Sequence, residues 1–300
     1  MTTFTIEPEG PFSLEESAIF GFGQREGSKF DGVMRLAFCL DDFSGQVGVE
    51  VRQQGGRVDC AFDPPGDVEA VRRQVARVLS LDHDARGFVS IGDRDPVMAR
   101  LLAAAPGLRP PLFYSPYEAA AWAVLSARRP ARQMQRVRKR LSEAHGATVE
   151  VAGAPMAAFP TPAQLLAVEA FPEVPPVKMD RLHAVAEAAL EGRLDPERLR
   201  SAEPEEAIRG LQQIDGIGPF YASLILIRAS GVTDVLPTDE PRVRELARTL
   251  YGLDATPTVA EFAQLAEPWS PWRTWAVVLM RAAASRLIGT TGTANGSAEG

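Results

Sequence analysis

The alternation of apolar and polar positions changes character along the chain. Through residues 1–65 the period is mostly two: FTIEP, GVMRLAFCLDD, QVGVEVRQQ and RVDCAFDPP read as strands. The last three, separated by Ser-Gly and Gly-Gly turns, predict an antiparallel meander. SLEESAIFGF interrupts them as a short helix, with Ser13 at the cap and Glu16 at the third helical position, a capping box. Asp67 opens a helix that repeats Val68, Val71, Val75, Val78 and Leu79 on one face. After a further short helix and the Pro-rich APGLRPPLFYSP, the period is helical almost throughout. SPYEAAAWAVLSA begins with Ser115 as cap and Pro116 at the first helical position, and stops at ARRP. ARQMQRVRKRLSEAHG, TPAQLLAVE, KMDRLHAVAEAALEG, PEEAIRGLQQI, PTVAEFAQLAE and PWRTWAVVLMRAAASRLIG continue the pattern, and 147–160 reads as a loop or weak strand pair.

Sheet first and helices after predicts an α+β architecture. The expected division is a small β-rich N-terminal domain, an antiparallel sheet with helices, over residues 1–110, and a larger all-α region over 111–289. The small polar tail, 290–300, should be disordered.

Two of these helices flank a tight turn in LQQIDGIGPFYASLILIR. Gly216 and Gly218 permit positive φ and close backbone approach, and Pro219 suits the first position of the next helix. Amides at such a helix start form a natural phosphate site. Embedded as L-x-x-I-x-G-I-G-x-x-x-A, with Gln212, Ile214, Gly216, Ile217 and Gly218 in the turn, this is a helix–hairpin–helix signature. Such a hairpin holds one DNA strand by its backbone without reading sequence. An ordinary turn between helices is the plain alternative.

Charge sharpens this picture. The net charge is −7, which argues against general adhesion to nucleic acid. Yet residues 119–142 hold no acid and carry Arg128, Arg129, Arg132, Arg136, Arg138, Lys139 and Arg140. A focused basic patch on an acidic body is an electrostatic footprint for phosphates, a solvated helix face being the alternative. Cys39 and Cys60, both in strand-like stretches, suit a reducing compartment, and there is no cysteine cluster for a metal. His83, His145 and His183 are far apart and carry no catalytic pattern. No apolar run spans a bilayer, and MTTFTIEPEG is not a signal peptide, so a cytoplasmic, nucleoid-associated place is expected.

Downstream of the hairpin, DVLPTDEPRVREL sets Asp239 at or just before a helix start. Read alone, it is an N-cap. Together with the hairpin, it brings a family into view. PGLRPP, AVL before the basic turn, FPTPAQLLA, AALEG, LQQIDGIGPF, DVLPTDE and EPWSPWRTWA occur in an order that resembles the helix–hairpin–helix DNA glycosylases. Within them the likeness is to the bacterial 3-methyladenine DNA glycosylase II (AlkA) type.

The resemblance implies base excision: a damaged nucleotide is flipped out of double-stranded DNA and its N-glycosidic bond is hydrolysed. Asp239 would be the catalytic carboxylate, stabilising the oxocarbenium sugar or steering water onto it. Relatives that also cut the strand carry a lysine where this chain has Phe220, so a monofunctional enzyme acting as a monomer on alkylated bases, with no lyase step, is expected. The backbone carbonyls of Gln212, Ile214 and Gly216 would hold a structural Na+ or K+; no other cofactor is implied. The base pocket would be lined by Phe220, Leu224, Trp122 and Tyr114, with Tyr117 a further aromatic beside them. Arg128, Arg129 and Arg132 would serve as the minor-groove wedge and basic patch.

The chain departs from the family in three places. Leu224 and Arg281 replace aromatics that bind cationic bases, and Ala127-Arg128 stands where a Gln and an apolar wedge are usual. A glycosylase for deaminated or bulky lesions, or a weakly active or non-catalytic protein binding DNA lesions through the same hairpin, are therefore the alternatives.

Overall fold

The computed structural model describes residues 1–20, 30–63, 67–238 and 240–291, without side chains for the last three. In chain order the elements are β1 (Thr2–Ile6), α1 (Leu14–Phe20), β2 (Val33–Cys39), β3 (Gln46–Gln54), β4 (Arg57–Phe62), α2 (Val68–Val78), α3 (Arg86–Val89), α4 (Pro96–Ala104), α5 (Pro116–Ser126) and α6 (Ala131–His145). They continue with β5 (Thr148–Val151), β6 (Ala154–Ala157), α7 (Pro162–Leu166), α8 (Pro176–Leu190), α9 (Pro196–Ser201), α10 (Pro204–Leu211), α11 (Pro219–Ala229), α12 (Pro241–Tyr251), α13 (Val259–Leu265) and α14 (Arg273–Thr291).

Contacts divide the chain into two units interleaved in sequence. One comprises Met1–Glu7, Lys29–Asp82 and Leu112–Gly231; the other comprises Pro8–Ser28, His83–Pro111 and Val232–Gly300. One crossing falls in the Pro-rich run, at Pro111 and Leu112.

The first unit contains the antiparallel sheet, ordered β1-β4-β3-β2. The meander is β2-β3-β4, and β1 adds to the outer edge of β4 with Phe4 opposite Cys60. The weak strand pair is real: β5 and β6 form a hairpin. It lies so close to β3 that a Cβ on Gly48 would come 2.5 Å from Val151 Cγ2 and 2.8 Å from Val149 Cγ2. This cover accounts for the burial of Gln46 and Gly48 on the face toward the hairpin, while Val47, Val49 and Val51 alternate onto the opposite face and are buried there. Cys39 and Cys60 are buried free thiols, and burial pushes Cys60 up to about 12. Polar groups finish the core. Arg77 of α2 is buried, donates 2.8 Å to the Ala229 carbonyl at the end of α11, and pairs with Asp41 at 2.5 Å.

The second unit is helical. Phe88, Leu101, Phe262, Trp269, Trp275 and Met280 share its core, which makes Trp269 and Trp275 packing residues. Buried Asp95 caps α4 and accepts hydrogen bonds from Trp269 Nε1 at 2.8 Å and Tyr251 OH at 2.5 Å. Ser13 caps α1 as expected, its Oγ 3.2 Å from the Glu16 amide. The other half of the capping box is replaced, because the Glu16 carboxylate pairs with Arg286 at 2.7 Å. α14 extends to Thr291, two residues into the stretch expected to be disordered; the rest of that tail lies outside the described residues. Among the described residues no helix is long and apolar enough to cross a membrane.

Candidate functional site

The hairpin is built on two buried side chains. α10 ends at Leu211 with Gln212 as its cap, and single-turn bonds carry the chain on: the Ile214 amide donates to Leu211 at 3.1 Å and the Ile217 amide to Ile214 at 3.0 Å. Ile214 and Ile217 are buried, each contributing about 1.5–3 kcal/mol of transfer free energy. Between them Gly216 takes φ +87°, and a Cβ there would meet Arg181 Cδ at 2.7 Å. Gly218, at φ −85° and ψ 176°, is the N-cap of α11, and Pro219 fills the first helical position. The first intrahelical bond runs from the Ala222 amide to the Gly218 carbonyl, 2.9 Å. The amides of Gly218, Phe220 and Tyr221 thus have no partner within the helix, at the positive end of its dipole. A Cβ on Gly218 would meet nothing within 4 Å, so the approach is open. This end of α11 can take a phosphate.

The carbonyls of the turn keep acceptor capacity. Ile214 O accepts one hydrogen bond and keeps a lone pair; Gln212 O and Gly216 O accept none from the described residues.

The basic segment resolves into two kinds of cation. Arg138 pairs with buried Glu118 at 2.5 Å, Lys139 with Glu143 at 3.7 Å and Arg140 with Glu173 at 2.8 Å. Arg128, Arg129, Arg132 and Arg136 are exposed and have no carboxylate partner among the described residues. They occupy the turn between α5 and α6 and the outer face of α6. Arg128 sits at φ +56°, a left-handed conformation that costs about 1–2 kcal/mol for a residue with a Cβ.

The pocket candidates separate. Phe220 is 53% exposed, and Leu224, partly exposed, follows it one turn later on the same helix. Trp122 of α5 is also partly exposed. Tyr221 packs edge-on against Phe220 with centroids 5.3 Å apart, and its hydroxyl lies 3.3 Å from Ser126 Oγ at the end of α5. Tyr114, expected in the pocket, instead packs its ring against Phe38 of the sheet, 5.4 Å between centroids, and burial pushes its phenol up to about 12. Tyr117 is also core: it is fully buried and donates to the Pro160 carbonyl at 3.0 Å. Both tyrosines are ambiguous in sequence because an aromatic ring with a polar tip suits either role.

Asp239 lies outside the described residues. Its flanks are well anchored within the second unit. Upstream, Asp234 receives hydrogen bonds from Arg273 Nε and Nη2 at 2.7 and 2.8 Å and from Ser270 Oγ at 2.9 Å. Burial alone would raise the Asp234 carboxyl, but these bonds outweigh it and hold it below the usual range. The Val235 amide donates to Thr274 Oγ1 at 2.9 Å. Downstream, Glu240 is the N-cap of α12 and pairs with Arg281 at 2.6 Å. Arg281, which stands where the family resembled carries an aromatic, is thus an ion-pair partner.

Two residues of this region escape the sequence reading. Lys178 and Arg181, three apart on α8, contact the basic turn and the hairpin respectively. Their partners are remote in sequence, so no local pattern marks them.

No family model matches the chain. The DNA-3-methyladenine glycosylase of Bacillus subtilis (strain 168) is 24% identical over 213 residues, which cover 69% of this chain and 70% of that protein. The solved structure of the 3-methyladenine DNA glycosylase from Archaeoglobus fulgidus is similar with a TM-score of 0.75 at 23% identity, covering 95% of this chain and 98% of its own. The Clostridium acetobutylicum 8-oxoguanine glycosylase/lyase gives a TM-score of 0.65 at 18% identity, covering 94% and 100%. The chain has the fold these glycosylases share: a small four-stranded antiparallel sheet with a helix–hairpin–helix helical region.

Proposed function

We propose that this chain is a monofunctional DNA glycosylase of base-excision repair, acting on alkylated bases in duplex DNA with Asp239 as its catalytic residue. The observation that carries the reading is the hairpin: Gly216 in a left-handed turn, open Gly218 at the start of α11, and, in the same unit, Arg128, Arg129, Arg132 and Arg136 without a carboxylate partner among the described residues. The likeness to the Bacillus subtilis relative supports the substrate class.

The hairpin amides hold one strand by a phosphate, and the carbonyls of Gln212, Ile214 and Gly216, which keep acceptor capacity, would hold Na+ or K+. Arg128, Arg129 and Arg132 bind phosphates flanking the flipped nucleotide. Phe220, Leu224 and Trp122 offer apolar surface to the extruded base. An N-alkylated purine already carries positive charge. When the C1′–N bond breaks, its electron pair leaves with the base, which departs neutral and needs no acid. The ionised Asp239 carboxylate stabilises the oxocarbenium left on the sugar; water oxygen then bonds to C1′ and its proton passes to the carboxylate. The product is an abasic site. Phe220 supplies no amine at the place where strand-cutting relatives carry lysine, so no Schiff base forms there.

The test is chromatographic detection of bases released from methylated duplex DNA. Release of 3-methyladenine or 7-methylguanine supports the reading. Duplex binding with no release from alkylated, deaminated or bulky-adduct DNA would replace it with a lesion-binding protein.

A further inference from the structure

α8 joins the two features that the proposed function uses to hold DNA. Lys178 Nζ donates to the Leu125 carbonyl in the last turn of α5, at 2.6 Å, and to the carbonyl of its cap, Ala127, at 3.0 Å. The Arg129 amide closes the same turn onto Ser126 O at 3.1 Å, which leaves Arg128 in its left-handed conformation. One turn further along α8, the aliphatic stem of Arg181 packs over Gly216, and its Nε lies 3.6 Å from Asp215 Oδ2. Residues three apart share a helix face. One face of α8 therefore grips both the basic turn and the hairpin, within one unit.

We infer that Lys178 is a positioning residue: it fixes the Ala127–Arg129 turn at a set distance from the Gly216–Gly218 grip, so that both engage one duplex together. This rests on the DNA-binding reading above. The geometry opposes a direct phosphate contact by Lys178, because its ammonium is committed to two carbonyls of its own chain. Burial, followed by the positive charges of Arg129 and Arg181, lowers its pKa, as expected for an amine turned inward. An ammonium at a helix C-terminus also complements the dipole. The turn needs such a clasp, since a left-handed arginine persists only where its surroundings enforce it.

The experiment measures affinity for duplex DNA containing a stable abasic analogue, across a salt series, for the full chain. The variants are Lys178→Met, Lys178→Arg, Arg128→Ala/Arg129→Ala and the triple variant with Lys178→Met, with thermal melting alongside. Losing two phosphate contacts weakens binding roughly thirtyfold at ~0.15 M salt and lowers the log–log slope by about 1.8. Lys178→Met should show this loss with a melting transition still present. The triple variant should be no weaker than Arg128→Ala/Arg129→Ala. Lys178→Arg, which keeps charged donors for the two carbonyls, should bind within about threefold of the parent chain. Losses that multiply in the triple variant would overturn the inference, because Lys178 would then contact DNA independently. If Lys178→Met does not fold, a Lys178→Arg variant that folds but binds as weakly as Arg128→Ala/Arg129→Ala overturns it. A parent chain that binds no duplex overturns both this inference and the reading beneath it.

Discussion

The two glycines of the hairpin should fail in different ways when each is replaced by alanine. Gly216 has φ +87°, and a Cβ there would stand 2.7 Å from Arg181 Cδ. The backbone conformation alone costs an L-residue about 1–2 kcal/mol. The clash adds less, because it is with a flexible side chain that is 39% exposed and can swing aside. Gly216→Ala should therefore lower the unfolding free energy by about 1–2 kcal/mol, a melting shift of about 2–4 °C per kcal/mol for a chain of this size. Gly218 has φ −85° and open space where its Cβ would go. Gly218→Ala loses about 0.5–1 kcal/mol at the cap and recovers a similar amount from the stiffer unfolded chain, so stability should stay within about 0.5 kcal/mol. Its methyl group instead occupies the approach to the α11 amides. The cost should fall on DNA affinity, about tenfold, equivalent to one charge-assisted hydrogen bond. Urea denaturation and duplex-binding titrations on both variants read the two quantities separately. A Gly218→Ala variant that loses stability but binds DNA normally would refute the assignment of that helix end as the grip, and a neutral Gly216→Ala would refute the strain argument.

Asp234→Asn should cost about 2 kcal/mol at pH 7, since it removes the charge from a carboxylate bonded to Arg273 and Ser270. The folded pKa of Asp234 lies below its ordinary 3.8, so this contribution is present above pH ~4 and is lost as pH falls through the folded value. Urea titrations should therefore separate parent and variant at pH 7 and bring them together in acid; equal stabilities at pH 7 would remove Asp234 as an anchor of the segment leading to Asp239. Borohydride reduction during turnover should leave no protein–DNA adduct, as read by gel shift under denaturing conditions. A stable adduct would contradict the monofunctional reading.

Much of this architecture is legible in the sequence for local reasons. The two-residue alternation of β2, β3 and β4 and the Asp67 and Ser115 caps depend on near neighbours, and each appears where the pattern puts it. The hairpin is equally local: Ile214, Gly216, Ile217 and Gly218 define it within five positions. What the pattern cannot carry is pairing across long separations. Glu16 bonds to Arg286 rather than to its own helix start. Tyr114 goes to the sheet because Phe38 is there to receive it. The basic run reads as seven equivalent cations until Glu118, Glu143 and Glu173 claim three of them. Lys178 and Arg181 matter through carbonyls and a glycine that belong to other helices.

The central claim rests on one carboxylate, and one paired measurement tests it. Parent chain and Asp239→Asn are compared for base release from methylated duplex DNA under single-turnover conditions, with affinity for the same duplex measured in parallel. The expected result is a loss of release by at least about a hundredfold, the scale of one electrostatic catalytic group, with binding unchanged or tighter because a negative charge has been removed near phosphate. Release at the parent rate from Asp239→Asn would contradict the account.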